Sequence, residues 1–260
     1  MIKEDIKFQN SLVFEGMTSI RAILKGIDIG VNERRIAEIW YDVSKMQKNQ
    51  KNLSYLKAVS KKYGFLLLEK ASEEIDKIVI GTSHGGIIAG AEERIIAPLS
   101  DSTPISKNGF YCLIEGIEDP YNFGYSLRSL YAMGCDGIIL TERNWMSAAG
   151  VVARSSAGAS ELFPIYKSET SDAIEIFHKN GYTVISADER AENVLGKCEI
   201  PSSVLLIVGG EKRGISRKIL DKTDMLIKID YQRDFNASLS SASATTIFAY
   251  EIMRQKTKSK

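Results

Sequence analysis

Three short stretches of the chain combine residue types and spacings that can do chemistry. The first runs from Glu118 to Arg128 and places an amide at Asn122 ahead of the Arg128 guanidinium. The second is GGEKRG at 209–214, and the third is SLSSASA at 238–244. Arginine can grip phosphate, glycines let the backbone approach a ligand, and small residues at a helix start can expose amides to an anion. These stretches are therefore the candidates for a binding or catalytic site.

Each stretch also has an ordinary structural interpretation. Taken alone, Arg128 is a surface arginine that pairs with a carboxylate, and Glu211 favours the start of the following helix. The second stretch matches neither GxGxxG nor GxxxxGK[ST], which excludes the dinucleotide and P-loop interpretations. No Ser/His/Asp order or GxSxG elbow supports hydrolysis, and His84 and His178 lack a partner motif. Taken one by one, the stretches leave the ligand open.

Composition sets the class of protein. The chain has 260 residues, is 44% hydrophobic and 26% charged, and carries a net charge of +1. These values are typical of one large or two ordinary soluble domains, and they confine any nucleic-acid surface to a local patch. The opening MIKEDIKFQN lacks the apolar core of a secretory signal, and no apolar run approaches a membrane span. A cytoplasmic protein without membrane association is expected.

The three cysteines do not suggest a metal site or a disulfide framework. Cys112, Cys135 and Cys198 lie far apart, with no CxxC pair and no nearby histidine cluster. Ligands for zinc normally come in close pairs, so no metal is predicted.

Alternating strands and helices are predicted to position the candidate stretches. The segment 97–109 is rich in proline and serine, has little to bury, and is predicted to be a linker. Apolar strands separated by helices predict an α/β fold with a mostly parallel sheet covered on both faces. Before the linker, the predicted helices are 17–25 and 53–63, a Ser72–Asp76 capping pattern follows, and the predicted strands are 35–42, 65–68 and 86–91. After it, the predicted strands are 110–114, 137–140, 162–166, 182–186, 204–208 and 225–229, and the predicted helices are 122–133, 147–156, 171–179, 215–221 and 241–254.

Taken in order, the motifs resemble those of a known family. DPYNFGYSLRSLYAMG, LLIVGGEKRG and IKIDY…ASLSSASATTIFAYE resemble the three motifs of the SpoU (TrmH) family of RNA ribose 2′-O-methyltransferases, in the SPOUT superfamily. SAGASE at 156–161 resembles the family's GA(x)E segment, while NERRIAEIWYD and SHGGIIA resemble the N-terminal substrate-binding domain of rRNA-modifying members. The resemblance covers roughly residues 16–254.

The resemblance implies a division of the chain and a fold for each part. Residues 1–95 are expected to form a small α/β RNA-binding domain, 96–108 a linker, and 109–260 the catalytic α/β domain. In that family the C-terminal segment is tucked through a loop as a trefoil knot, one of the rare exceptions to unknotted topology. The lysines on the helix at 51–63 are expected to contact phosphates. The resemblance also implies a homodimer.

Site residues follow from the same resemblance. It implies S-adenosylmethionine as cofactor, held mainly by backbone groups of Gly209, Ile229 and Leu239 beside the loop near Ala187. The implied catalytic residues are Arg128, Asn122, Glu211 and Ser238. Because a guanidinium suits a phosphate fork better than proton abstraction, Arg128 is expected to grip phosphate and polarise the ribose hydroxyl, and the base is left unassigned.

The third motif departs from the family pattern. The chain has Ser240 where the family usually has asparagine, and Ile229-Asp230-Tyr231 where it usually has Ile-Pro-Met. The implied activity is 2′-O-methylation of RNA, with ribosomal RNA favoured over tRNA by the N-terminal domain, and a modification that confers antibiotic resistance stays open. A tRNA 2′-O-methyltransferase and a catalytically silent RNA- or ribosome-binding protein are the alternatives.

Overall fold

The computed structural model describes residues 12–141, 148–210 and 214–258, which fall into two compact units. Among these residues, unit 1 holds 12–95 and 148–162, and unit 2 holds the remainder. The segment 148–162 thus follows residues 96–141 of unit 2 in sequence but packs in unit 1.

The described residues form short strands and helices that largely alternate along the chain. The strands are β1 (Val13–Glu15), β2 (Ile36–Asp42), β3 (Leu66–Lys70), β4 (Ile87–Ala91), β5 (Ala97–Pro98), β6 (Phe110–Glu115), β7 (Gly137–Leu140), β8 (Ile165–Lys167), β9 (Thr183–Ala187), β10 (Asn193–Val194), β11 (Val204–Gly209) and β12 (Met225–Lys228). The helices are α1 (Gly16–Asp28), α2 (Gln50–Tyr63), α3 (Ser72–Asp76), α4 (Pro120–Ala132), α5 (Ala149–Ser155), α6 (Thr170–Lys179), α7 (Arg217–Leu220) and α8 (Ser241–Lys258). Short 3₁₀ turns occupy Val43–Lys45 and Ala159–Glu161.

Unit 1 is built on a four-stranded mixed sheet in the order β1-β4-β2-β3. β4 runs antiparallel to both β1 and β2, whereas β2 and β3 are parallel. Apolar residues of α1, α2 and α5 pack with those of the sheet in one core that contains Phe14, Ile23 and Leu56. A smaller cluster, which contains Ile75 of α3, packs around Val13 and Ile88.

The segment 148–162 is held in unit 1 by close backbone approach. A β-carbon on Gly150 would lie 2.0 Å from the carbonyl oxygen of Val13, and one on Gly26 would lie 2.2 Å from that of Glu161. Only glycine permits such contacts, so these two positions fix α5 against β1 and the 3₁₀ turn against α1.

A buried ionic cluster reinforces this packing. The Glu161 carboxylate accepts a hydrogen bond from Arg34 Nε at 3.0 Å and another from the Asn32 amide, and its side chain is 3% exposed. Arg94, also buried, donates to the carbonyl oxygens of Ser160 and Val31, each at 2.6 Å. Because buried charges need partners, removal of Glu161 would take away the carboxylate that pairs with Arg34.

Unit 2 is built on an eight-stranded parallel sheet in the order β10-β12-β9-β11-β6-β7-β8-β5. On one face, α6 and α7 contribute Phe177 and Ile219 to a core with Tyr111, Leu113 and Leu205. On the other side of the unit, α4 and α8 pack against each other, and α8 also contacts β11. The predicted α/β class and mostly parallel sheet are confirmed.

The chain changes direction across the middle of this sheet. After β6 it continues through α4 to β7 on one side, whereas after β11 it continues through α7 to β12 on the other side. The loops that follow β6 and β11 therefore diverge, and such a switch point forms a crevice at the carboxyl ends of parallel strands.

Three short strands escape the sequence prediction because each has only two or three residues, too few for a recognisable pattern. β1 and β10 are two of them. The third, β5, lies in the predicted linker, where Pro98 is tolerated because the strand is at the sheet edge. Leu99 is 8% exposed and belongs to the core of unit 2, so the prediction that this linker has little to bury is wrong.

The predicted capping role of Ser72 is also wrong. The helix cap is Ala71, whose backbone N–H donates to the Glu74 carboxylate at 3.1 Å. The Ser72 hydroxyl instead donates to the buried Asp42 carboxylate at 2.7 Å, because it is the first residue of α3 rather than the residue before it.

No helix in the part of the chain that the structure describes is both long and apolar enough to cross a membrane.

Candidate functional site at the switch point of unit 2

Two glycine-containing loops meet at the centre of the crevice. A β-carbon on Gly210 would lie 1.9 Å from the carbonyl oxygen of Gly116, so the loops after β11 and β6 touch through their backbones. Gly116 adopts φ +78°, a left-handed conformation that favours glycine. The second candidate stretch is thus packed directly against the loop that leads into the first.

The start of α4 is fixed by its cap. The Asp119 carboxylate accepts hydrogen bonds from the backbone N–H groups of Tyr121 and Asn122, both at 3.2 Å, and Pro120 occupies the first helical turn. Aspartate before the helix and proline in its first turn are typical of a helix start. Asn122 is consequently held in the first turn of α4, close to the end of β6, and it is half-buried.

Arg128 lies farther along α4 and is exposed. Its guanidinium makes no hydrogen bond or ion pair with any residue in the described part of the chain, so the predicted alternative of a carboxylate partner is not seen there. The neighbouring Ser129 hydroxyl bonds the Thr246 hydroxyl of α8 at 2.6 Å, which joins the two helices at this level. The Arg128 donors are accordingly available to an anionic ligand.

The segment before α8 returns to the end of β11. The Ser241 hydroxyl donates to the Gly209 carbonyl oxygen at 3.1 Å, so the second and third candidate stretches meet directly. Ser238 is exposed and Leu239 is half-buried, and both lie a few residues before this contact. This joining residue was not singled out from the sequence, although a serine at a helix start is a recognisable signal.

The residues that depart from the family motif are engaged in local contacts. The Ser240 hydroxyl accepts from the backbone N–H of Ser243 at 3.2 Å and so caps α8. The Tyr231 hydroxyl accepts from the backbone N–H of Leu239 at 3.1 Å, and Asp230 pairs with Lys197 at 3.0 Å. These three side chains thus hold the segment before α8 through local contacts.

Three of the four residues expected to hold the cofactor lie at neighbouring strand ends. Ala187 ends β9, Gly209 ends β11, and Ile229 directly follows β12, and these strands are adjacent in the sheet. Leu239 lies two residues before Ser241, whose hydroxyl bonds the Gly209 carbonyl oxygen. All four residues are half-buried, so each still presents surface to a ligand.

The loop after β9 is organised by a short ion pair. Arg190 donates to the Asp188 carboxylate through Nε at 3.0 Å and Nη2 at 2.7 Å. These bonds from Arg190 lower the pKa of Asp188, whereas partial burial opposes the shift. The loop next to Ala187 therefore keeps a fixed charge pair at neutral pH.

Glu211 lies outside the described residues, as do its two neighbours at 212 and 213. Its expected role stays a prediction.

Metal chemistry finds no support among the described residues, where no group of three or more His, Cys, Asp and Glu side chains converges. Burial raises the pKa of the Cys112 and Cys135 thiols above their ordinary value. Neither is suited to act as a thiolate nucleophile, because that role needs a lowered pKa.

Comparison of the amino-acid sequence with known proteins identifies a family model and relatives that resemble this chain. The model of the SpoU rRNA Methylase family matches residues 109–250. The TrmH family tRNA/rRNA methyltransferase YacO of Bacillus subtilis (strain 168) is 24% identical over 230 residues, which cover 86% of this chain and 90% of the relative. A TrmH family tRNA/rRNA methyltransferase of Staphylococcus aureus (strain COL) is 31% identical over 145 residues, 55% of this chain and 58% of the relative.

Solved structures share the fold over nearly the whole chain. An RNA 2′-O ribose methyltransferase superposes with a TM-score of 0.77 at 18% identity, covering 97% of this chain and 93% of that one. The SpoU methyltransferase AviRb from Streptomyces viridochromogenes, solved with AdoMet, superposes with a TM-score of 0.75 at 19% identity, covering 98% and 99%. These likenesses confirm the predicted SpoU-type architecture.

Proposed function

This chain belongs to the SpoU rRNA methylase family of RNA methyltransferases, and on that premise we propose that it transfers a methyl group from S-adenosylmethionine to a ribose 2′-hydroxyl of RNA. The observation that carries the proposal is the meeting of three loops at one switch point. Gly210 contacts Gly116, and Ser241 bonds Gly209, so the loop before α4, the loop after β11 and the start of α8 form one crevice.

The residues present suit the proposed donor. Ala187, Gly209, Ile229 and Leu239 offer backbone groups, and Ala187, Ile229 and Leu239 add half-buried apolar side chains, as an adenosine with a sulfonium-linked tail requires. When bound, S-adenosylmethionine supplies an electrophilic methyl group, so the protein has mainly to position donor and acceptor. A wall of backbone at strand ends does this well because it is rigid.

Arg128 is the residue we assign to the acceptor side. Its exposed guanidinium suits a bidentate contact with an RNA phosphate and can polarise the adjacent 2′-hydroxyl. A guanidinium keeps its proton at neutral pH, so it is not proposed as the base. Asn122, in the first turn of the same helix, is proposed to orient Arg128 or the ribose, and Ser238 and Glu211 are proposed to position the nucleotide.

Ribosomal RNA is the proposed substrate, with tRNA as the alternative. The argument is the presence of unit 1, a separate α/β body whose α2 carries exposed lysines at 51, 57 and 61. Such a basic surface provides phosphate contacts outside the crevice. We propose residues 1–95 as the RNA-binding part of the chain and 109–260 as its methyltransferase part.

A homodimer is proposed from the outer surface of α4 and α8. Tyr125 is 48% exposed and Tyr250 is 51% exposed, although large aromatic side chains usually find cover. Tyr121, Tyr131 and Ile247 are also exposed on these two helices. A second copy of the chain is the proposed cover, and sedimentation of the purified protein would measure it.

Two measurements test the proposed activity. Calorimetry with S-adenosylmethionine should give saturable binding, and transfer of labelled methyl to unmodified ribosomal RNA should leave the label on a ribose 2′-oxygen, as mass mapping would show. The silent RNA-binding alternative expects RNA binding without donor binding. Label on a base, or on tRNA but not ribosomal RNA, would contradict the proposed acceptor.

A further inference from the structure

A cavity of about 320 Å³ lies within unit 1 and has no part in the proposed transfer crevice. Its walls come from the first turn of α1, the start of α2, the loop at 83–87 and helix α5. Pockets that hold small ligands have volumes of about 300–1,000 Å³, so the space matches a ligand of modest size. Most of its lining side chains are polar, which excludes a purely apolar occupant.

Hydrogen-bond donors line this cavity. Met17 and Thr18 lie in the first turn of α1, where backbone N–H groups have no partner within the helix, and Glu15 provides no side-chain cap. The helix has 13 residues, so its N-terminus carries an appreciable positive partial charge. These features favour an anionic group. A histidine that lines the same cavity favours an anionic group as well.

This histidine is His84, which lines the cavity and is only 6% exposed. Its Nδ1 accepts from the backbone N–H of Gly86 at 3.1 Å, so in the neutral ring the hydrogen is on Nε2. The Asp76 carboxylate lies 3.6 Å from Nε2, beyond hydrogen-bond distance. The His84 side chain is therefore largely buried, and its Nε2 makes no hydrogen bond with the described residues, although the Asp76 carboxylate lies at ion-pair distance.

The acidic residue of the cavity is already neutralised. Glu15 Oε2 pairs with Arg154 Nη1 at 2.7 Å, and Glu15 Oε1 accepts from the backbone N–H groups of Ile80 and Gly81 at 2.8 and 3.1 Å. The Arg154 side chain remains 22% exposed at the cavity wall. The carboxylate thus holds Arg154 in place and does not leave a net negative charge.

The lining residue Asn52 connects the cavity to a basic and an aromatic group outside it. Asn52, a lining residue, accepts from Arg21 Nη2 at 3.3 Å, and the Arg21 guanidinium lies 4.6 Å from the centre of the Tyr55 ring. Lys51, next to Asn52, is exposed. Guanidinium and aromatic planes are the surfaces on which unstacked RNA bases lie.

We propose that this cavity binds one unstacked nucleotide of RNA, with its phosphate between the first turn of α1 and His84 and its base toward Arg21 and Tyr55. The inference rests on the proposed function in that RNA is the substrate. It assigns recognition to a site in unit 1 that shares no residue with the transfer crevice of unit 2. A single extruded nucleotide fits because RNA is read mainly where its bases are unstacked.

Two substitutions place a carboxylate at the cavity without disturbing the core. Thr18 and Ser83 are exposed lining residues, and an acidic residue in the first turn of a helix is favourable, so Thr18→Glu should fold as well as the wild type. Ser54→Glu is the matched control, because Ser54 is exposed on α2 beside the same lysines but does not line the cavity.

The full-length protein would be titrated with a short random-sequence RNA and with each of the four ribonucleoside 5′-monophosphates. Thr18→Glu and Ser83→Glu are each expected to weaken RNA binding about tenfold or more, and Ser54→Glu less than about twofold. The monophosphates should protect the cavity from hydrogen exchange in the wild type and in Ser54→Glu, but not in Thr18→Glu or Ser83→Glu. Equal weakening by Ser54→Glu, or inorganic phosphate binding as tightly as the nucleotides, would overturn the proposal.

The same variants separate this proposal from the proposed activity. At saturating RNA, both cavity variants should transfer methyl at the wild-type rate and bind S-adenosylmethionine with unchanged affinity. If the variants transfer methyl normally and bind RNA as tightly as the wild type, the proposed nucleotide site is wrong, whereas the proposed methyltransferase activity is unaffected. Absence of donor binding in the wild type would reject the activity, while nucleotide binding by the cavity would still be measurable.

Discussion

The two units of the molecule use polar groups in opposite ways. In unit 2 the candidate crevice is formed by backbone, where Gly210 touches Gly116 and Ser241 bonds the Gly209 carbonyl. In unit 1 the polar features are side chains, among them the buried Arg34–Glu161 pair and the lined cavity near His84. Backbone walls tolerate changes of side chain but not of glycine, whereas side-chain clusters depend on each partner.

The largest expected effect tests the side-chain cluster of unit 1. Glu161→Gln removes the counter-charge of Arg34, and breaking a buried pair in this way costs about 3–5 kcal/mol. Hydrogen exchange should rise across unit 1, while donor binding measured by calorimetry stays unchanged. Glu175→Gln is the control, since its pair with Lys222 is largely exposed and contributes about 1 kcal/mol or less. Loss of donor binding in Glu161→Gln would show that the two units are not independent.

The next effect tests the one side chain on which the crevice is proposed to depend. Arg128→Ala is expected to lower the rate of methyl transfer about 100–1,000-fold, as removal of a group that stabilises developing charge does elsewhere. Because Arg128 is exposed and unpaired within the described residues, thermal stability should not change. Initial rates and donor calorimetry measure the two quantities. Arg217→Ala, exposed on α7, is the control, and a parallel fall in donor affinity would contradict the assignment to the acceptor side.

A smaller effect tests the backbone wall. Gly210→Ala places a β-carbon 1.9 Å from the Gly116 carbonyl oxygen, so the loops must separate. Overpacking of this kind costs about 1–3 kcal/mol, and we expect weakened donor binding together with a lower melting temperature. Gly134→Ala is the control: its φ is +78° and nothing lies within 4 Å, so it adds backbone strain without touching the crevice. If Gly210→Ala binds S-adenosylmethionine as tightly as the wild type, the donor does not bind in the crevice next to Gly210.

The smallest effect concerns acid stability in unit 1. Burial raises the pKa of the Asp42 carboxyl, yet hydrogen bonds from Ser44, Ser72 and Lys45 outweigh it and hold the pKa well below the ordinary 3.8. A carboxyl with a depressed folded-state pKa stabilises fully above its unfolded pKa, and that stability is lost as the pH falls through the folded value.

Asp42→Asn should therefore reduce the free energy of unfolding by about 1–2 kcal/mol at neutral pH, and by progressively less below pH 3.8. Urea unfolding between neutral and acid pH measures the difference. Asp101→Asn, on an exposed pair with Lys179, should change it by less than about 0.5 kcal/mol at any pH. A difference between wild type and Asp42→Asn that does not change with pH would contradict the assignment.

The sequence was informative where patterns are long and local. The helices near 53–63 and 122–133 and the strand at 204–208 occur close to their predicted positions, because periodic apolar residues and caps such as Asp119 act over a few residues. The three motifs in their order indicated the SpoU family, whereas no single stretch was specific enough to do so.

What the sequence did not predict depends on distant contacts. The packing of 148–162 in unit 1 arises from Gly150 against Val13 and from Glu161 against Arg34, pairs that lie more than a hundred residues apart in the chain. The strand at Ala97–Pro98 exists only because β8 is there to pair with it. Ser240 caps α8, which is a common role for a serine directly before a helix. The sequence comparison treated Ser240 only as a departure from the family's asparagine, so this role was not predicted.

The placement of 148–162 in unit 1 has a consequence for how the protein is made. Domains generally fold as units and in order of synthesis. Unit 1, however, includes α5 and the turn that carries Glu161, which follow β6 and β7 of unit 2 along the chain. During synthesis on the ribosome, the Glu161 carboxylate is not present beside Arg34 and Arg94 until residue 161 has emerged. Unit 1 can therefore reach its final packing only after the first central strands of unit 2 have been synthesised.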